Sequence, residues 1–184
     1  MPGDTGPMSP DPPIPAAMLI AMRETARLAG FFAAHGIWSV ADGGTLTPLL
    51  GYEQTDGDRG MDRFAAHDTA EAVRAGQDAL QANRRGSVRA VLVTDAYIRL
   101  DTGRSDALIV EAVEYGPARQ SLTMAIPYRP QSSPHGFAVY RPKFIEVAGV
   151  NEPDYGALAD AFFAGVDSHE QAAAVWNAHL DHTR

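Results

Sequence analysis

Residues 88–116 read VRAVLVTDAYIRLDTGRSDALIVEAVEYG, and the fold is read outward from this stretch. Val88, Ala90, Leu92, Ala96, Ile98 and Leu100 alternate with Arg89, Asp95, Tyr97 and Arg99, the period-two pattern of a long strand. Asp101-Thr102-Gly103-Arg104 supplies turn residues, with Gly103 suited to a left-handed backbone. A loop of odd length is expected to set Leu108, Val110 and Ala112 beside the apolar side of the first strand. After Gly116-Pro117, Leu122, Met124, Ile126 and Tyr128 define the inner face of a third strand, with Ser121, Thr123 and Ala125 expected to meet solvent. Residues 130–136 turn the chain and residues 137–147 form a fourth strand. Pro127 and Pro142 cannot donate to a ladder, so those positions belong at an edge or a bulge.

Helical patterns flank this meander. Met18, Met22, Ala26, Ala29 and Phe32 recur at helical spacing between residues 16 and 35, and Gly36 is placed to end that helix. Ile37-Trp38-Ser39-Val40 and Thr45-Leu46-Thr47 around Ala41-Asp42-Gly43-Gly44 are expected to form a short hairpin. Residues 53–60 read as a polar loop. Asp68 three residues before Glu71 has the spacing of a capping box for a helix to about Asn83. At the C-terminus, Asn151 and Asp154 can cap a helix ending at Gly165, and Ser168 with Gln171 a second one. Short connections between successive strands imply an antiparallel meander, and helices gathered before and after it imply an α+β fold. The expectation is about four main strands and a short N-terminal hairpin packed against flanking N-terminal and C-terminal helices. Residues 1–13, with five Pro and two Gly, read as a flexible tail, and residues 14–184 as one domain.

The 184 residues carry a net charge of -8, with 15 basic and 23 acidic side chains. That balance argues against nucleic acid as a partner, because phosphate binding needs a basic face. There is no Cys, which removes disulfides, thiolate nucleophiles and thiolate metal sites, and Lys143 is the only Lys. The most apolar window, residues 14–22, is too short to span a bilayer, and the first residues lack the basic start of a secretory signal. A cytoplasmic protein with no membrane partner is expected. Composition rich in Ala, Arg, Gly and Pro suits GC-rich coding, and hence a bacterial source.

Familiar catalytic and metal patterns fail on inspection. Asp56, Asp58, Gly60 and Asp62 alternate like calcium ligands, yet the sixth and twelfth positions of that loop hold Met61 and His67 instead of Gly and Glu. His179 and His182 have no third protein ligand in the sequence. Ser132, Ser133 and His135 lack a nucleophile elbow. Lys143 follows no Gly-rich run, and no dinucleotide fingerprint follows a strand. No cofactor and no metal are therefore expected. What remains is a fringe of planar cations and phenols, Tyr97, Arg99, Tyr128, Arg129, Tyr140 and Arg141, able to stack on a partner or clamp a carboxylate. Asp95 and Glu111 are the carboxylates placed to neutralise these Arg residues instead.

The reading that follows is a non-catalytic binding module whose Tyr/Arg-rich sheet edge takes a protein partner or a second copy. The alternative is a small-molecule binder, or an enzyme acting on an anionic metabolite, with a pocket between sheet and helices and Arg99 or Arg141 as the anion anchor.

Overall fold

The computed structural model describes residues 16–101 and 103–183, so the expected tail at residues 1–13 lies outside the described residues. The elements in chain order are α1 (Ala16–Val40), β1 (Leu49–Glu53), β2 (Arg59–Arg63), α2 (Thr69–Ala82), β3 (Arg89–Leu100), β4 (Gly103–Glu114), β5 (Gln120–Arg129), β6 (Ala138–Val139), β7 (Lys143–Ala148), α3 (Tyr155–Asp167) and α4 (Glu170–His179). The strands form one antiparallel sheet in the order β2-β1-β3-β4-β5-β6, with β7 also on β5. The class is α+β, with the N-terminal and C-terminal helices flanking the sheet.

Two residues join β3 and β4, Leu100 pairs with Gly103, and Gly103 has φ +114°. The expected odd loop is thus corrected to an even one. Leu108, Val110 and Ala112 stand beside Asp95, Val93 and Val91, on the side opposite to Ala90 and Leu92. The alternation misled because β3 is buried on both faces: Ala90, Val91, Leu92 and Val93 are all 3% exposed or less. Val91 and Val93 face α1, α3 and α4 in the main core with Phe32, Ile37, Phe162 and Trp176. Ala90 and Leu92 face α2 in a smaller cluster with Leu50, Leu80 and Val113. Ala125, on the face of β5 expected to be wet, is buried as well.

The hairpin expected at residues 37–47 is absent, since α1 continues to Val40. Gly36 is a packing glycine rather than a cap: a Cβ there would lie 2.8 Å from Leu108 Cδ1 and 3.0 Å from Val93 Cγ1. The short N-terminal hairpin is instead β1–β2, turning through residues 54–58. Asp68 caps α2 as expected, accepting from Ala70 N at 2.8 Å, and Asn83 ends it with a left-handed backbone. The fourth strand is split into β6 and β7 around Pro142, and its pairing with β5 shifts register between Thr123 and Met124. Gly165 does not end α3, and Ser168 does not cap α4. The helix runs to Asp167, and His169 Nδ1 accepts from Ala172 N at 3.3 Å.

The reason Gly165 is needed mid-helix is the crossing with α1. A Cβ on Gly165 would sit 1.9 Å from Arg27 O, and one on Gly30 would sit 1.9 Å from Phe162 O. Each helix thus presses its backbone onto the other's at a missing side chain.

One row of charges crosses four strands at the end of the sheet that leads into β3. Arg59, Glu53, Arg89 and Glu114 occupy successive paired positions on β2, β1, β3 and β4. Arg59 Nε donates to Glu53 Oε2 at 2.7 Å, Arg89 Nη1 donates to Glu53 Oε1, and Arg89 Nε donates to Glu114 Oε2 at 2.9 Å. Thr25 of α1 adds its hydroxyl to the same Glu114 oxygen at 3.0 Å. Burial works against the Arg89 cation, yet Glu114 and Glu53 together hold its pKa above the usual value. Removing one member leaves buried charge uncompensated. Arg89→Leu is therefore expected to cost about 3–5 kcal/mol in urea unfolding, with part regained when Glu114→Gln is added. A loss below about 1 kcal/mol, the range of exposed pairs, would show that the row does not hold the sheet.

Candidate functional site

The six Tyr and Arg residues do not converge. Tyr128 is 5% exposed, and its hydroxyl donates to Asp95 Oδ1 at 2.9 Å. Burial, and then Asp95, push that phenol well up; burial also pushes up the Asp95 carboxyl, with Asp106 adding to it. Arg129 closes the loop of residues 130–136, donating to Gly136 O at 2.8 Å, His135 O at 3.1 Å and Tyr140 Oη at 3.2 Å. Tyr140 is itself buried. Arg141 is exposed at the break between β6 and β7. Asp95 and Glu111 serve other partners, Tyr128 and Gln77. Arg129 and Tyr140 meet, but at a buried position, and only Tyr97 and Arg99 share an exposed place, on the far end of β3.

That far end is a two-stranded arm. β1 pairs with β3 only as far as Val93, and β5 pairs with β4 only as far as Asp106. Thr94–Leu100 therefore has a ladder with β4 on one side and, among the described residues, no strand on the other. Tyr97 is 62% exposed in the middle of this edge, with the Arg104 guanidinium 3.6 Å from its ring centre. The chain leading into β1, Thr45–Pro48, leaves a notch of about 470 Å³ against Asp95, Ala96 and Tyr97.

A second concavity, about 590 Å³, lies on the other face between α2 and the β1–β2 hairpin, within the size range of small-ligand sites. Leu50 and Ala90 floor it, and Tyr52 and Tyr115 wall it. Arg85 lies 4.5 Å over the Tyr52 ring and grips Asp62 through two bonds, of 2.8 and 2.6 Å. Tyr115 donates to Leu80 O, and burial pushes its phenol up to about 12. Asp78 and Arg84 also line it, whereas Arg99 and Arg141 line neither this groove nor the notch. Asp62 apart, which the sequence singles out only within the calcium-like loop, these residues escaped the sequence reading. The signal was the double-sided apolar run of β3, which requires a helix on each face; α2, at 14 residues, is too short to cover its face fully.

His35, His169 and Arg63 form a third cluster beside Phe31 and Trp38. His35 Nδ1 is 3.0 Å from His169 Nε2, and His35 Nε2 is 3.0 Å from Arg63 Nη2. Ala172 N donates to His169 Nδ1, so a neutral His169 carries its proton on Nε2 and donates it to His35. Both ends of this relay are donors, so two neutral rings satisfy only two of its three contacts. An added proton is worse. Burial, then His169 and Arg63, lower the His35 pKa to about 4.

Elsewhere the sequence motifs dissolve into structure. Asp56 caps its own turn by accepting from Asp58 N, and Asp62 is taken by Arg85. His179 donates to Val175 O and packs against Phe137. Among the described residues no group of three or more His, Asp or Glu is placed to hold a metal ion, and no helix is long and apolar enough to cross a membrane.

With His35 depressed in the fold and near 6.5 when unfolded, the folded state binds fewer protons between those values, so stability falls as pH drops from about 6.5 to about 4. Thermal midpoints across that window are expected to fall less steeply in His35→Gln; equal slopes would show that His35 is not the titrating group. Compared with family models, with curated proteins and with solved structures, the chain matches none.

Proposed function

We propose that this protein is a non-catalytic interaction module that takes an extended protein segment onto the open edge of β3. The observation that carries the reading is the run Thr94–Leu100, seven consecutive residues laddered on one side only, with a mostly exposed Tyr at its centre. Unpaired edge amides and carbonyls are a template for another strand. The sheet's other open edges carry features that discourage such pairing. β2 is only five residues long, and β7 follows Pro142 and is offset by a register shift. The β3 stretch has neither Pro nor bulge, and it combines an aromatic with Ile98 and Leu100.

A second reading is small-molecule binding in the α2 groove, favoured by its volume and by the presence of Asp78, Arg84 and two phenols in its lining. The groove is separate from the β3 edge, so the two readings part experimentally. Tyr97→Lys places a charge on the edge without touching the core. On the first reading, solution mass and co-purifying proteins change in this variant while the unfolding midpoint holds. A strict monomer, with co-purifying proteins unaffected by Tyr97→Lys, overturns it. A metabolite that raises the midpoint of the parent protein but not of Arg84→Ala favours the groove.

A further inference from the structure

We propose that the segment received by the β3 edge is the same edge of a second copy, paired antiparallel about a two-fold axis at Tyr97. The proposal rests on the reading of that edge as the interaction surface. The distribution of charge along the arm supports it. Asp95 lies near its base, Asp106 opposite Tyr97 at its middle, and Arg99 and Arg104 at its tip, all on one face with Tyr97. Within one copy, Arg99 stands directly opposite Arg104, a like-charge cross-strand pair that costs stability. Antiparallel pairing centred on residue 97 sets the tip of each arm against the base of the other. Asp95 then stands opposite Arg99 of the second copy, and Arg99 opposite its Asp95. Tyr97 meets Tyr97, and on the reverse face Ala96 meets Ile98. A parallel arrangement would instead bring acid to acid and base to base. The contact is isologous, so it closes at two copies and leaves no growing edge.

The absence of Cys from the sequence makes the register directly readable. In Tyr97→Cys the only thiols are those at position 97. Directly opposed residues in an antiparallel pair have Cα atoms about 4.5–5.5 Å apart, inside the usual disulfide range of about 4.4–6.8 Å. Under mild oxidation of the full chain, Tyr97→Cys is expected to give a covalent dimer in high yield, while Arg104→Cys, on β4 and so one strand removed from the proposed seam, gives little. Arg99→Asp sets Asp against Asp twice and is expected to weaken the dimer about tenfold or more. Asp95→Arg sets Arg against Arg twice. Mixing these two variants restores both opposite-charge contacts, so a heterodimer is expected where each alone is monomeric. Circular dichroism verifies that Asp95→Arg, which also loses its Tyr128 contact, remains folded; should it unfold, the thiol test and Arg99→Asp decide. No cross-link at position 97 and a monomeric parent chain overturn the self-pairing. If in that case Tyr97→Lys still abolishes capture of a different protein, the edge reading survives and only the identity of the occupant fails.

Discussion

The row Arg59, Glu53, Arg89 and Glu114 is the constraint on which the arrangement of the sheet rests. Its four side chains occupy paired positions on four strands, and the side chains of Glu53, Arg89 and Glu114 are 14% exposed or less. A slip of one residue in any of these strands would turn its charge to the opposite face and break the row. Because Thr25 joins the row at Glu114, the same contact positions α1 over the sheet. With register pinned at this end, the 12-residue strands β3 and β4 run well beyond the five residues of β1, and their far end emerges as an arm.

What the helices cover determines what the sheet leaves open. Gly30 and Gly165 bring α1 and α3 into backbone contact, and this close layer, with α4, seals the face holding Val91, Val93 and Val110. On the other face, α2 alone covers Ala90, Leu92 and Val113. The groove beside α2 and the open edge of β3 are thus two places where coverage ends.

The fold class was legible because the strands follow one another through short turns and the helices bear strong caps, as at Asp68 and Asp154. Register was not, since a strand buried on both faces carries no alternation to separate them, and Val91 and Val93 are as apolar as Ala90 and Leu92. Gly36 and Gly165 resembled helix ends for a related reason: local propensity cannot distinguish a glycine that ends a helix from one that admits a neighbour. Of the six fringe residues, only Tyr97 and Arg99 lie together at an open position. The other four have the same chemistry, but tertiary contacts bury Tyr128 and Tyr140, lock Arg129 onto its loop and place Arg141 elsewhere. The relay of His35, His169 and Arg63 joins residues far apart in sequence, so no spacing could announce it.

The open edge of β3 carries the functional reading, and its amides report on it directly. Hydrogen exchange measured residue by residue at low and high protein concentration compares the edge with the rest of the sheet. Slower exchange at high concentration confined to Thr94–Leu100, with Val91 and Val110 unchanged, is the result expected of an edge that pairs with a second copy. Exchange along Thr94–Leu100 that is fast and independent of concentration would contradict it.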